Sequence, residues 1–352
     1  MIPANINERR FVLLCEGAFG VIESKVASAF IRYHEERCVA VVNSEHAGCM
    51  VSDVIGWGRN IPVVASVAEA IAFQPDTLII GVSVQGKSLP ESWRLALREA
   101  IQAKLDVLSG LNYYLTEDPE FVQLAKDNGT TLYDTKKVEL DIPLSKARVL
   151  DLDTFVIQTV GSDCRVGKKT TALEITHEAR NRGINANFGA TGQTGIMISG
   201  SGVCVDSVQV DFLGGATEKV VLDASQGAEW TVVEGQGSIT HPSFAGGTVG
   251  MLYGSMPQAM VFCHHHGREC YYGTDLKIPS FETLIDLHHT LTRINRPSKV
   301  VGVSLNTYPL DNAQAEREIK TLEDRLQLPV TDPVKFGVAN LVDAIAEYQK
   351  TY

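Results

Sequence analysis

The chain has 352 residues, which is enough for two domains with separate hydrophobic cores. Its apolar fraction of 44% and charged fraction of 21% are those of an ordinary globular protein. The formal net charge of −11 argues against a broad basic face, so we expect neither nucleic acid nor an acidic membrane surface as a partner.

The seven cysteines are scattered without a C-x-x-C pair, so the sequence predicts neither a disulfide framework nor a zinc ribbon. The chain does not begin with an apolar signal core, and no apolar run is long enough to span a bilayer. We expect a cytoplasmic protein that holds no metal, binds no membrane and assembles as a homo-oligomer.

Strand and helix patterns alternate through the first half of the chain. We predict strands at residues 11–15, 38–42, 61–64, 76–82, 106–109 and 130–133, and helices at residues 22–33, 89–103 and 117–128. Strands that alternate with crossover helices form a parallel sheet with helices on both faces. The pattern predicts a Rossmann-like domain over residues 1–145.

The first turn of this domain is a poor dinucleotide fingerprint. Gly17 and Gly20 are present, but the full G-x-G-x-x-G pattern is absent. Asn43 ends the second strand, where dinucleotide-binding proteins carry an acidic residue that holds the ribose. The sequence therefore favours a platform domain over an NAD-binding one.

Pro143 and several charges interrupt the periodicity between residues 136 and 148, and we place the domain boundary there. The second domain spans residues 146–352. We predict strands at residues 155–160, 186–188, 230–234, 259–263 and 300–305, and helices at residues 170–182, 281–294, 313–326 and 338–348. The two halves together predict an α/β protein whose second domain has a mostly parallel sheet.

Residues 155–172 read as a strand, a glycine-bearing loop and a helix. Such a loop directs backbone N–H groups at an anion, and the helix dipole and a lysine add positive charge. Five residues rather than four separate Gly161 from Gly167, and Lys169 stands where Ser or Thr normally follows the lysine. We predict a modified phosphate loop that contacts a cofactor through Gly161, Asp163, Gly167, Lys168, Lys169, Thr170 and Thr171.

The predicted strand 230–234 ends in Glu234, and a glycine-rich turn follows. An acidic residue at this place can hold Mg²⁺ or orient a nucleophile beside a phosphate loop. We take Glu234 as the first catalytic candidate, with His241 and Asp211 as further candidates. Residues 264–266 are three consecutive histidines, which point in alternating directions on a strand and cannot all bind one metal ion.

A second polar loop at residues 191–195 offers Gln193 and Thr194 as neutral hydrogen-bonding groups for a substrate. The alternative is a mobile connector. Asp206 and Asp211 are five residues apart, and in an irregular segment they could form an acidic pocket that receives an ammonium group. Two solvated carboxylates are the other interpretation.

These motifs resemble known families. Residues 161–168, GSDCRVGK, and 232–237, VVEGQG, resemble dethiobiotin synthetase and related ATP-dependent amidoligases. A longer resemblance, to the D-glutamate N-acetyltransferase-like family, rests on GKKTTALE at 167–174, ATGQTG at 190–195, DSVQVDF at 206–212, VEGQG at 233–237 and SLNT at 304–307. In the first half residues 109–111 fit, whereas Asn112 replaces an expected histidine and Gln85-Gly86-Lys87 replaces an expected double glycine.

The longer resemblance implies an N-acetyltransferase of D-amino acid metabolism that acts on D-glutamate or a similar acidic amino acid. The phosphate loop would then bind acetyl-coenzyme A. In dethiobiotin-synthetase-like proteins an Asn after the corresponding strand contacts adenine, which places Asn306 at the cofactor. Two alternatives stay open: an ATP- and Mg²⁺-dependent carboxylate-activating ligase or kinase, and a non-enzymatic nucleotide-binding switch. Lys169 weighs against both ATP readings, because it replaces a Mg²⁺-binding hydroxyl.

Overall fold

The structure, a computed structural model, describes residues 2–3, 5–82, 88–138 and 141–352. Gln85, Gly86 and Lys87 lie outside the described residues, as do two residues of the predicted domain boundary. The chain divides into two compact units. The first consists of Met1–Glu139 and Gln193–Ser207, and the second of Leu140–Gly192 and Val208–Tyr352.

Parallel strands and helices alternate along the described chain. The strands are β1 (Phe11–Leu14), β2 (Cys38–Val42), β3 (Val63–Val64), β4 (Thr77–Ile80), β5 (Asp106–Ser109), β6 (Leu132–Asp134), β7 (Phe155–Gly161), β8 (Ala186–Gly189), β9 (Trp230–Val233), β10 (Ala259–His265), β11 (Lys299–Asn306) and β12 (Val330–Thr331). The helices are α1 (Lys25–His34), α2 (Val51–Ile55), α3 (Val67–Ala70), α4 (Glu91–Gln102), α5 (Pro119–Asn128), α6 (Lys168–Asn181), α7 (Gln193–Ser199), α8 (Leu213–Ala224), α9 (Ala245–Ser255), α10 (Phe281–Thr292), α11 (Asn312–Leu326) and α12 (Ala339–Thr351). None of the helices in the described part of the chain has both the length and the hydropathy needed to cross a bilayer.

The first unit is built on a six-stranded sheet in the order β3-β2-β1-β4-β5-β6. All neighbouring strands are parallel. This is the strand order of the Rossmann fold, in which the sheet grows outward from β1 in both directions. The residues of β1 and β4 are all buried, as expected of parallel strands covered on both faces. The Rossmann-like prediction is confirmed.

The second unit has a six-stranded sheet in the order β12-β11-β10-β7-β9-β8, and again every pair is parallel. The phosphate-loop strand β7 lies between β10 and β9. The carboxyl ends of these three strands therefore meet at one edge, where ligands of open α/β sheets bind. Val160, Phe262 and Val303 from three adjacent strands form part of the core beneath this edge. The α/β prediction is confirmed here also.

Two glycine-rich helices, α8 and α9, are not among the predicted elements, because glycine is a poor helix former. Gly215 in α8 shows why glycine is present. A Cβ at this position would lie 1.7 Å from the carbonyl oxygen of Pro143, so the helix packs too closely against this segment for any side chain. Residues 193–195 of the predicted polar loop begin the short helix α7.

Candidate functional site

The phosphate loop connects β7 to α6, as the sequence predicts. β7 is buried along its whole length. At Gly161 a Cβ would lie 2.7 Å from the carbonyl oxygen of Cys263 on β10, so a side chain here would collide with the neighbouring strand. Gly167 has φ of +105°, a conformation that favours glycine, and α6 starts at the next residue. The first turn of a helix leaves backbone N–H groups available to an anion.

Lys168 joins the phosphate loop to the turn after β9. Its ammonium group donates hydrogen bonds to the carbonyl oxygens of Asp163 and Gly237, each at 2.7 Å. Burial lowers the pKa of Lys168, and the nearby Cys263, Cys164, Asp163 and Glu234 oppose this effect. The lysine is therefore held by neutral carbonyl groups, with the Glu234 carboxylate close enough to interact electrostatically.

Asp163 anchors the loop through a fully buried carboxylate. One oxygen accepts from the backbone N–H of Cys164 at 2.7 Å. The other accepts from Arg268 at 3.0 Å and from the backbone N–H of Tyr272 at 2.7 Å. Arg268 and Tyr272 were missed in the sequence analysis, since they lie 105 and 109 residues after Asp163 and belong to no motif.

Glu234 follows β9 directly, and its side chain is 4% exposed. One carboxylate oxygen accepts from the backbone N–H groups of Thr191 and Gly192, each at 3.2 Å. The next residue, Gly235, has no room for a side chain, because a Cβ would lie 1.7 Å from the carbonyl oxygen of Thr159. The Glu234 carboxylate is thus fixed by the loop after β8 and by the close approach of the backbone to β7.

His241 is buried, and protein groups satisfy both of its ring nitrogens. Nδ1 accepts from the backbone N–H of Ser243 at 3.0 Å, which makes Nε2 the protonated nitrogen that donates to the carbonyl of Tyr272 at 3.1 Å. Asp163, Cys164 and His241 each present a possible metal ligand within 4.8 Å of the others. These groups already bond to the protein, and Arg268 supplies a cation to Asp163.

The three consecutive histidines at the end of β10 contact three different groups. His264 Nδ1 lies 2.8 Å from the hydroxyl of Ser162 in the phosphate loop. His265 contacts the carbonyl of His266, and His266 lies 3.7 Å from Glu318. Burial, together with the other two histidines and Arg268, lowers the pKa of His264 to about 4. The alternation along the strand separates these side chains, as the sequence analysis anticipated.

The remaining predicted cofactor residues face different directions. The buried Thr171 hydroxyl donates to the carbonyl of Gly167 and contacts the hydroxyl of Ser304, so it faces the sheet. Lys169 and Thr170 are half-buried on the first turn of α6. Asn306 ends β11, and its side-chain oxygen accepts from the backbone N–H of Tyr308 at 3.1 Å.

The predicted substrate residues fall in both units. Asp211 is exposed in a short 3-10 helix, Val210–Phe212, of the second unit. Gln193 and Thr194 begin α7, and Asp206 lies in the 3-10 helix Val205–Ser207. These three residues belong to the first unit. Asp206 and Asp211 thus belong to different units, and the acidic pocket that they could form stays a prediction.

In the first unit, the turn after β1 differs from the dinucleotide-binding turn of a Rossmann fold. Glu16 follows β1 and accepts hydrogen bonds from the backbone and hydroxyl of Ser44. Asn43 donates to the carbonyl of Cys15 at 2.8 Å and accepts from His46. The polar groups at the end of β2, where a ribose would be held, are thus engaged with the turn itself.

Comparisons with known proteins agree with this architecture. Residues 143–342 match the P-loop domain of DUF1611, a domain of unknown function, and residues 44–138 match its Rossmann-like N-terminal domain. The chain belongs to the DUF1611 family. A crystal structure of a DUF1611 family protein from Anabaena variabilis ATCC 29413 superimposes with a TM-score of 0.91 at 32% identity, covering 96% of this chain and 99% of that one.

Two curated relatives can be aligned with most of this chain. A protein of Tritonibacter scottomollicae is 36% identical over 305 residues, which is 86% of this chain and 90% of the relative. A protein of a Pseudoalteromonas species is 33% identical over 334 residues, 94% of this chain and 97% of the relative. Both relatives are named D-glutamate N-acetyltransferase. The resemblance to that family, stated from the motifs, is confirmed.

Proposed function

We propose that this protein is an N-acetyltransferase that transfers the acetyl group of acetyl-coenzyme A to the amino group of D-glutamate or a similar acidic amino acid. Both relatives are named as N-acetyltransferases and align with most of this chain, which supports acetyl transfer as the reaction class. The structural observation behind the proposal is the turn of residues 235–237. This turn begins directly after Glu234, and the carbonyl oxygen of Gly237 at its end accepts a hydrogen bond from Lys168. This turn therefore connects Glu234, the candidate base, to Lys168, the cation that we propose binds a phosphate.

The phosphate loop suits a cofactor that carries phosphates. A Cβ at Gly167 would have no heavy atom within 4 Å, so there is open space beside this residue, directly before the first turn of α6. Lys168 supplies an ammonium group, and the helix N-terminus favours negative charge. Lys169 replaces the hydroxyl that would coordinate Mg²⁺, which suits a cofactor whose phosphates need charge neutralisation without a catalytic metal ion.

The chemistry requires a base and a fixed geometry. Acetyl-coenzyme A supplies an activated thioester. The substrate nitrogen forms a new C–N bond to the acetyl carbon, the C–S bond breaks, and the sulfur leaves as a thiol after protonation. We assign the removal of the amine proton to Glu234, because Thr191 and Gly192 hold its carboxylate in one orientation. His241 is a weaker candidate, since both ring nitrogens are already bonded.

The test uses the purified protein with acetyl-coenzyme A and either D-glutamate or L-glutamate, in one series with EDTA and in another with Mg²⁺ and ATP. We expect release of free thiol and formation of N-acetyl-D-glutamate, with no requirement for Mg²⁺ or ATP. Mass spectrometry identifies the product, and a thiol-reactive chromogen follows the rate. If turnover instead needs Mg²⁺ and ATP and yields ADP, the protein is a ligase or kinase.

A further inference from the structure

Arg165 has an unusual position in the phosphate loop. It is exposed, and its φ of +58° is a left-handed conformation that arginine rarely adopts. Its guanidinium carbon lies 4.1 Å from the ring centroid of Tyr272. Stacking on an aromatic ring holds a guanidinium plane in place while its N–H groups remain directed outward at the edge of the plane.

Two neighbouring positive groups already have partners within the protein. Arg268 pairs with the buried carboxylate of Asp163 at 3.0 Å, and Lys168 donates to two carbonyl oxygens. By contrast, none of the described carboxylate or carbonyl groups accepts a hydrogen bond from the Arg165 guanidinium, which stacks on the ring of Tyr272. A fixed, uncompensated guanidinium is well suited to bind an anion through paired hydrogen bonds.

The buried carboxylate of Asp163 fixes the backbone next to Arg165 and at Tyr272. Its carboxylate binds the backbone N–H of Cys164, the residue before Arg165, and also the backbone N–H of Tyr272. The same buried group therefore sets the position of the arginine and of the ring on which it stacks. This double attachment distinguishes Arg165 from a surface arginine whose side chain is free to move.

We propose that Arg165, held over Tyr272, is a second anion-binding residue of the site, which receives a negatively charged oxygen group of a ligand bound at the phosphate loop. This inference rests on the proposed acetyltransferase function and adds a residue to it. Two sources share the required chemistry: a phosphate of acetyl-coenzyme A, and a carboxylate of the acidic amino acid. A planar guanidinium binds both with paired hydrogen bonds.

The experiment compares the parent protein with Arg165→Asn, Arg165→Lys and Tyr272→Ala. Asn tolerates the left-handed backbone, so the first variant removes charge without new strain. Arg165→Lys keeps the charge but loses the planar fork, and Tyr272→Ala keeps the backbone N–H that binds Asp163. Arg317→Ala, an exposed arginine on α11 of the same unit, is the matched control. Thermal unfolding of each variant verifies that the fold is retained.

Calorimetry gives Kd for acetyl-coenzyme A, for its 3′-dephospho form and for MgATP, and kinetics give KM for D-glutamate. We expect Arg165→Asn to weaken one interaction by about tenfold or more, the loss for a charge-assisted hydrogen bond. A rise in Kd for acetyl-coenzyme A alone assigns the 3′-phosphate. An equal rise for the 3′-dephospho form assigns the pyrophosphate. A rise only in KM for D-glutamate assigns the carboxylate.

Less than a twofold change in every one of these constants would overturn the proposal for Arg165. Acetyl transfer by the parent protein then still stands, so the two hypotheses fail separately. The MgATP arm serves the opposite case: if the parent transfers no acetyl group but Arg165→Asn weakens nucleotide binding tenfold, the anion-binding role is supported and the acetyltransferase function is not. We expect Tyr272→Ala and Arg165→Lys to give partial losses of the same kind.

Discussion

The ammonium group of Lys168 donates a hydrogen bond of 2.7 Å to the carbonyl oxygen of Gly237, 69 residues further along the chain. This bond connects the phosphate loop after β7 to the glycine turn after β9. The turn begins just after Glu234, so the lysine proposed to bind phosphate and the residue proposed to remove a proton are parts of one hydrogen-bonded unit. A shift in the backbone of the turn should therefore be measurable at the phosphate loop.

Lys168→Met should weaken acetyl-coenzyme A binding by about 10² or more, because it removes the charge that neutralises a phosphate. Met is preferable to Ala, since the structure shows that the lysine stem is buried and fills space. The variant also leaves two carbonyl oxygens without their donor, which lowers the unfolding free energy by about 1–3 kcal/mol for each group.

Calorimetry at a temperature well below the unfolding midpoint separates these effects on binding and on stability. Lys320→Met, at an exposed helix position, should change neither quantity measurably. Unimpaired binding of both acetyl-coenzyme A and ATP by Lys168→Met would show that the loop does not bind phosphate.

Glu234→Gln should lower kcat by about 10² or more while leaving Kd for acetyl-coenzyme A nearly unchanged. The amide oxygen can still accept from Thr191 and Gly192, so the geometry is kept and only the basic group is lost. Steady-state kinetics and calorimetry on the same preparation give both numbers. Glu316→Gln on the exposed face of α11 serves as the control. Equal kcat in Glu234→Gln and the parent would remove Glu234 from the chemistry.

Gly235→Ala should destabilise the second unit and reduce activity, because the new methyl group would lie 1.7 Å from the carbonyl oxygen of Thr159. Relieving this overlap must move the backbone between Glu234 and the Lys168 contact. Gly246→Ala is a sharp control, since the same methyl group in the first turn of α9 meets open space and improves helix propensity by about 1 kcal/mol. Thermal unfolding midpoints should therefore shift in opposite directions for the two variants.

His288→Leu should flatten the pH dependence of stability. Burial lowers the pKa of His288 to about 4, compared with 6.5 for an ordinary histidine, and its Nε2 has no hydrogen-bond partner among the described residues. Between pH 6.5 and 4 the unfolded chain binds a proton that the folded chain excludes. The free energy of unfolding therefore falls as the pH falls through this window, by up to about 1.4 kcal/mol per pH unit for each such histidine.

His264 contributes in the same direction, since its pKa is also lowered to about 4. The pKa values of His34 and His289 are lowered as well, so His288→Leu removes one of several contributions to the slope. It also removes one unsatisfied buried atom, so we expect the variant to be as stable as the parent or more stable at pH 7, and to lose less unfolding free energy between pH 7 and pH 5. Urea unfolding at pH 7, 6 and 5 measures the slope. His177→Gln, at an exposed position, should leave the slope unchanged. A slope equal to the parent's in His288→Leu would contradict the assignment.

Much of the fold is predictable because its signals are local. The strands β1, β2, β5 and β7 are short, largely apolar runs, and their predicted and observed bounds agree within one residue. The phosphate loop needs a strand, glycines, a lysine and a helix in immediate succession, which a single stretch of sequence contains. Glu234 was found for the same reason, as a carboxylate at the end of an apolar run.

Tertiary structure alone decided which distant groups complete the site. Arg268 and Tyr272 bind Asp163 across more than 100 residues, and Thr191 and Gly192 orient Glu234 across more than 40. Such contacts depend on the order in which parallel strands assemble, because strands that are neighbours in a sheet can be far apart in the chain. The sequence by itself determined the two sheets and the phosphate loop. Packing at the carboxyl edge of the second sheet determined how Lys168, Asp163 and Glu234 are held there, since hydrogen bonds between loops form only where the strands bring those loops together.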